Sequence, residues 1–371
     1  MERLRLALPS VGDEELAEIA KVLATGYLTQ GPAVAQFESL VADYIGVEHA
    51  FATSSATTAL HLSLAALGVG PKDEVVVPAF TFPATANVVV QLGARPVFAD
   101  VDPATYAVTA ASIEAAMSDR TAVVMPVDPF GYPAPMREIV ALAQERGVRV
   151  VEDAACAIGA FRAGEPCGSF PDLGCFSFHP RKVITTGEGG MITTNDFDLA
   201  ERITLLRNHG GKRTEDRYRY EAAGFNYRLS DVAGAIGIAQ MAKLPGLLER
   251  RRHLAEMMTA RLSPIDGVTP PSEEVGAMAT YQAYVVMLDA NWDRDKAIIH
   301  LRDKGIETTL GTYGLHLEPF FANYLGTTPE MFPNATAAAE RSLTLPFFPD
   351  MSDDDVDRVG SRVEEVLKAM A

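Results

Sequence analysis

Three cysteines in 371 residues are too few for a disulfide framework, and Cys156, Cys167 and Cys175 match no zinc-ligand spacing. Reduced thiols and a cytoplasmic setting are expected. Basic charge is also scarce: 32 Lys and Arg stand against 49 Asp and Glu, a formal charge of −17. Nucleic acid and anionic membranes both require a basic footprint, so neither is an expected partner, and an anionic ligand would need a local basic patch. No run approaches the ~20 apolar residues of a membrane span, and "MERLRLALPS" has too short an apolar core for a signal peptide. Internal repeats and low-complexity tracts are missing as well. What remains is 48% hydrophobic and 22% charged, with 29 Gly and 23 Pro: the composition of a globular protein, long enough for two domains.

Ser10 precedes "DEELAEIAKVLATG", where Leu16, Ile19, Ala20 and Leu23 recur at helical spacing and Gly26 provides a stop. Short apolar runs at 74–79, 94–100, 121–127, 147–153, 173–178 and 189–194 then alternate with helical patterns at 57–67, 83–92, 135–146 and 197–207. Continuous β-branched runs separated by helices indicate an α/β fold with a buried, mainly parallel sheet. Ligands of such sheets bind at the carboxyl ends of the strands, which singles out Asp153 and Ser177. From about 230 the texture changes to two helices separated by Pro245, then a strand in "YQAYVVML", a helix in "RDKAIIHLRDKG" and a last helix from Ser352. The reading is a large domain over 1–245, including an N-terminal arm, and a small C-terminal domain over 246–371. The run "RRRH" at 250–253 reads as the wet face of a helix.

Lys182 stands between an apolar run and a glycine-rich turn in "CFSFHPRKVITTGEGGMITTND". A partly buried amine is a poor structural choice, because desolvation disfavours its charged form. The same effect makes it a nucleophile toward an aldehyde. A surface lysine is the commoner reading of any such residue, so its neighbours decide. Asp153 ends "VRVVED", where a buried carboxylate needs a cationic or strongly donating partner. Ser177 precedes Lys182 by five residues, and "TSSATTALHL" at 53–62 enters a helix in the manner of an anion site, although Ser and Thr are also ordinary caps. Phe82 follows a strand and can stack on a planar ring. An amine for an aldehyde, a carboxylate for a ring nitrogen, an aromatic face and a phosphate cup together meet the requirements of pyridoxal phosphate.

The stretches "YLTQGPAVAQFE", "SSATTALHLSLAALGVGPKDEVVVPAFTFPATANVV", "GARPVFADVD", "VEDAACAIGA", "CFSFHPRKVITTGEGGMITTND", "LLRNHG" and "GFNYRLSDVAGAIGIAQM" follow in this order over residues 25–245. In this the chain resembles the DegT/StrS-type sugar aminotransferases, pyridoxal-phosphate enzymes of fold type I. The C-terminal part is similar more loosely, through "YGLHLEPFF" and "LTLPFFPD". The resemblance implies a large domain with a mainly parallel seven-stranded sheet between helices and a smaller α+β domain. It implies that Lys182 bonds the cofactor aldehyde, that Asp153 pairs with its ring nitrogen, and that Thr57, Ser177 and the backbone at Ala56 hold its phosphate. Phe82 would lie against the ring, and Asn226 would reach the phosphate of a partner chain, making a homodimer with shared sites. The implied reaction is ping-pong transfer of an amino group from L-glutamate to a nucleotide-linked keto sugar, with a 4-keto-6-deoxy hexose as the expected acceptor.

Four positions depart from the family pattern. Ala56 replaces a usual glycine, Cys156 stands where glutamine or histidine often meets the ring hydroxyl, Asp128 where many relatives have histidine, and Gln282 in a segment that often carries histidine or tryptophan. The last two are expected to bear on substrate. Branches that remove a hydroxyl instead of transferring an amine have histidine in place of the lysine, so Lys182 favours transfer over dehydration. A cyclitol ketone as acceptor and a catalytically silent sugar-nucleotide sensor are the other readings. Arg207, Lys212, Arg213, Arg217 and Arg219 in "RNHGGKRTEDRYRY" form a local basic patch, in which Lys212 and Arg213 are candidates for the diphosphate. Tyr313 and His316 resemble positions near the sugar.

Overall fold

Valine-rich segments such as Glu74–Pro78, buried along their whole length, leave no solvent face and must be covered on both sides. They do so in a seven-stranded sheet: β1 (His49–Thr53), β2 (Glu74–Pro78), β3 (Arg95–Ala99), β4 (Thr121–Val124), β5 (Arg149–Asp153), β6 (Leu173–Ser177) and β7 (Gly190–Thr194). The strand order is β1-β7-β6-β5-β4-β2-β3. Strands β3, β2, β4, β5 and β6 pair in parallel, and β7 is antiparallel to both its neighbours. The computed structural model describes residues 3–370, so residues 1, 2 and 371 of the expected domain spans lie outside the description. The strand missing from the sequence reading is β1: "HAFAT" has no β-branched run, and its register with β7, from His49↔Thr194 to Thr53↔Gly190, defines it.

Five helices frame the site: α1 (Asp13–Thr25), α2 (Pro32–Ile45), α3 (Ala56–Leu67), α4 (Ala84–Gln91) and α5 (Asp231–Leu262). Two expectations about α1 are corrected. Its N-cap is Gly12, whose N–H donates to Glu15 at 2.6 Å, and not Ser10. Its anticipated apolar face is split: Leu16 and Leu23 are 64% and 60% exposed, while Ile19 packs against Val22, Ala33 and Ala235. The reason is polar: Glu15 is buried against α5, where it accepts from Gln240 at 2.8 Å and Lys243 at 2.9 Å.

Pro245 does not divide two helices. It lies inside the 32-residue α5, flanked by buried Leu244, Leu247 and Leu248, so packing outweighs the one backbone hydrogen bond that proline removes. The helix runs through the expected 245/246 boundary. Its second half sends Leu254, Ala255, Met258 and Leu262 into a C-terminal core beneath a four-stranded antiparallel sheet. Leu4 joins that same core, and its N–H donates to Gly305 O at 2.9 Å, so the N-terminal arm packs with the C-terminal unit. Of "RRRH", only His253 is exposed; the three arginines do not form a wet face. Arg250 donates to the carbonyls of Pro349 and Met351, buried Arg251 to Tyr281, and Arg252 to Ala279 and Gly159. Among the described residues no helix is long and apolar enough to cross a membrane.

Candidate active site

At its carboxyl end β5 delivers Asp153, 5% exposed, into the interior. Its Oδ2 accepts from the Thr85 hydroxyl at 2.8 Å, and its Oδ1 from the Ala155 N–H at 3.3 Å. Burial pushes its pKa up, and the Thr85 hydrogen bond and the Lys182 ammonium pull it back only in part. A cation against this carboxylate would complete the compensation.

Lys182 sits in the loop after β6, in a turn closed by its N–H to His179 O at 2.8 Å. Thr185 fixes that loop twice, donating its hydroxyl to Phe178 O at 2.9 Å and its N–H to Gln240 of α5 at 3.1 Å. The amine of Lys182 donates to Cys156 Sγ at 2.9 Å. Gln282 adds a further tie, from its side-chain amide to the carbonyl of Arg181 at 2.6 Å. Buried Arg251 holds the preceding carbonyl, Tyr281 O, at 2.9 Å, so α5 reaches the lysine loop by two routes.

The start of α3 forms the third part. Ser55 and Thr58 cap each other: Thr58 N–H donates to Ser55 Oγ at 3.1 Å and Ser55 N–H to Thr58 Oγ1 at 3.0 Å. Both hydroxyls are thereby engaged, whereas among the described residues the half-buried Thr57 hydroxyl has no hydrogen-bond partner. Ala56 is the first helical residue and has no positive φ, so its methyl group causes no backbone strain. Close approach is required instead of Gly190, where a Cβ would lie 2.5 Å from the Ser55 carbonyl and 2.7 Å from Ala56 N. Ser177, buried at the end of β6, accepts only a long 3.4 Å contact from His179 N–H. Phe82 is 57% exposed, with its ring edge-on to Tyr313 at 6.3 Å.

These groups fit pyridoxal phosphate by their chemistry. There is an amine in a fixed loop, a buried carboxylate short of a cation, under-used hydroxyls beside a helix N-terminus, and an aromatic ring with an open face. The chain matches the DegT/DnrJ/EryC1/StrS aminotransferase family over residues 9–364. It is 37% identical over 371 residues to the GDP-perosamine synthase of Caulobacter vibrioides, covering 99% of each chain. It is 38% identical over 370 residues to the UDP-N-acetyl-3-dehydro-alpha-D-glucosamine 3-aminotransferase of Acidithiobacillus ferrooxidans, covering 99% of this chain and 97% of that one.

The chain belongs to this aminotransferase family.

Solved structures agree: the aminotransferase TlmJ from Streptoalloteichus hindustanus is similar at a TM-score of 0.93 and 38% identity, over 99% of both chains. The PLP-form of a Streptococcus pneumoniae protein is similar at a TM-score of 0.94 and 25% identity, over 100% of both. The chain is therefore a transaminase whose cofactor is pyridoxal phosphate.

The other expected residues of the aminotransferase divide between the surroundings of Phe82, the interior and the surface. Tyr313 pairs with Thr81 through a two-residue strand and is partly exposed beside Phe82. His316, expected near the sugar, is fully buried with Nε2 2.7 Å from the Thr336 hydroxyl and its ring against Phe332. Asp128, expected to bear on substrate, is likewise fully buried. Gln282 turns toward the lysine loop, as described above. Lys212 and Arg213 lie on an exposed hairpin, opposite Arg219 and Tyr218. Among the described residues neither has a hydrogen bond or ion pair with the site around Lys182. Asn226 is exposed and bonded to Arg228 Nε at 3.0 Å, while the next residue, Tyr227, accepts from Ser54 N–H at 3.0 Å beside α3.

Sequence reasoning overlooked Thr85 and Arg251. Thr85 stands in the quoted "AFTFPATA", but nothing in its spacing marks a partner 68 positions away. Arg251 was hidden by its basic neighbours, which suggested solvent.

Proposed function

We propose that this aminotransferase transfers an amino group from L-glutamate to a nucleotide-linked keto sugar, a 4-keto-6-deoxy hexose, in a ping-pong cycle. The observation that carries the nucleotide-linked acceptor is full-length similarity, at 37% and 38% identity, to two enzymes named for GDP- and UDP-linked sugars. Bound pyridoxal phosphate supplies an aldehyde that exchanges amines and a ring that accepts electrons. Lys182 would hold that aldehyde, and its amine is the group placed to move a proton at the substrate carbon. Asp153, held by the Thr85 hydroxyl, would keep the ring nitrogen protonated. Thr57, Ser177 and the first-turn amides at Ala56 would hold the phosphate and Phe82 would lie against the ring, while Cys156 faces the amine.

A second copy of the chain completes the proposed site. Two observations support a homodimer: Leu16, Leu23, Tyr27 and Leu28 expose apolar surface near the N-terminus, and among the described residues Asn226, Lys212 and Arg213 have no hydrogen bond or ion pair with their own chain's Lys182. Lys212 and Arg213 would then meet the diphosphate bound in the partner's site. Changing both to alanine is expected to raise KM for the sugar nucleotide by ~10-fold, the loss of about one charged hydrogen bond, and to leave KM for glutamate unchanged. Mixing that double variant with Lys182→Ala chains should restore the low KM, because each heterodimer joins an intact lysine to an intact hairpin. Equal effects on both substrates would remove the diphosphate role, and failure of the mixture to recover would remove the shared site.

A further inference from the structure

Behind Asp153 the interior holds three acidic side chains, Asp128, Glu152 and Cys167, all buried. One ligand-type atom from each lies within 4.8 Å of the others. Asp128 Oδ1 accepts from Ala134 N–H at 2.8 Å, and Glu152 Oε2 from Gly168 N–H at 2.8 Å. The second oxygen of each carboxyl, Asp128 Oδ2 and Glu152 Oε1, is buried without a donor. The charged groups on neighbouring elements do not help. Asp153 adds negative charge. Arg162 is engaged by Glu274 at 2.7 Å and Arg137 by Glu165 at 2.6 Å. The cavity of about 60 Å³ that reaches Glu152 and Cys167 is rimmed by those same arginines and by Glu138 and Glu165.

Two ionised carboxylates cannot be held together away from bulk water without a cation. We propose that Asp128 and Glu152 share one proton, forming an acid–carboxylate pair that positions the end of β5 and restrains the negative charge beside Asp153. The backbone ties the pair to that residue: Asp128 N–H donates to Asp153 O at 3.1 Å, Asp153 N–H donates to Pro126 O at 2.9 Å, and Glu152 immediately precedes Asp153. Burial raises Asp128 to about 6 and Glu152 well above the carboxylate range, and it also keeps the Cys167 thiol protonated. Asp128 and Glu152 are thus positioning residues, and the departure at Asp128 has its consequence here and not at the substrate.

The sign of the pH dependence follows. The native pair holds its proton more tightly than the unfolded chain, so its stabilisation is complete below the ordinary carboxylate pKa values and falls as pH rises through the pair's own titration. Infrared spectra of the cofactor-loaded protein at neutral pH should show a protonated-carboxyl band that Glu152→Gln removes and whose frequency Asp128→Asn shifts, and a band left unmoved by Asp128→Asn would overturn the sharing. Over the same range the variants' Tm should fall less steeply with pH than that of wild type. A band that survives Glu152→Gln, no such band in wild type, or one tightly bound divalent metal ion per purified chain would overturn the shared proton. The infrared band is independent of turnover, so it separates proton sharing from a packing role, and either variant suffices if the other fails to fold.

Discussion

Lys182→Ala is expected to lower kcat by ~10³-fold or more while leaving the fold intact, since general acid–base catalysis by a placed group contributes about 10²–10⁴-fold and this amine has a second task in product release. The structure separates those roles from stability. The amine makes one hydrogen bond, to Cys156 Sγ, whereas the loop is held by Thr185, Gln240 and Gln282 through contacts the substitution leaves in place. Thermal unfolding should therefore shift by no more than about 1 kcal/mol, the usual net worth of one hydrogen bond. Single-turnover kinetics with glutamate check the first part and calorimetry the second. Added small primary amines should recover part of the proton-transfer rate. A variant that turned over at the wild-type rate would show that another group moves the proton.

The second large effect belongs to Asp153. Asp153→Asn preserves shape and the Thr85 hydroxyl contact but removes the charge that opposes a protonated ring nitrogen, so kcat should fall by ~10²-fold or more. The substitution also has a pH signature. Without a cation beside it, burial raises the pKa of Asp153, so the native state takes up a proton more readily than the unfolded chain and loses that stabilisation as pH rises. A cofactor cation stabilises the ionised form. Stabilisation by pyridoxal phosphate, read as the rise in Tm, should therefore be larger at neutral than at acid pH in wild type and nearly flat in Asp153→Asn. Equal pH dependence in the two proteins would contradict a role for the carboxylate charge.

Much of this arrangement was legible in the chain because its signals are local. Asp153 was marked by ending a continuous β-branched run, Ser177 by its place at the end of an apolar run, and Lys182 by its place before a glycine-rich turn. Residues whose roles depend on distant partners were not legible. Thr85 contacts Asp153 across 68 positions, and Gln282 reaches Arg181 across 101. Helix periodicity misassigned the faces of α1 because an acidic residue, Glu15, has its partners on α5, some 225 positions away. Basic residues misled in the same way: Arg250, Arg251 and Arg252 read as solvent-facing, yet each saturates carbonyls on another segment. Pro245 failed as a stop because burial on both sides sustains α5. Local patterns specify elements and strand ends, whereas long-range polar pairing decides which faces are buried.

The most direct test of the account is the visible absorbance of the wild-type protein with pyridoxal phosphate, before and after L-glutamate, beside Lys182→Ala. The account expects a band from cofactor bonded to Lys182, its conversion by glutamate to the aminated cofactor, and return of the band when a keto sugar nucleotide is added. The variant should show no band of lysine-bonded cofactor and no return. A wild-type protein that forms no lysine-bonded cofactor, or whose band glutamate leaves unchanged, would contradict Lys182 as the working amine or glutamate as the donor, respectively.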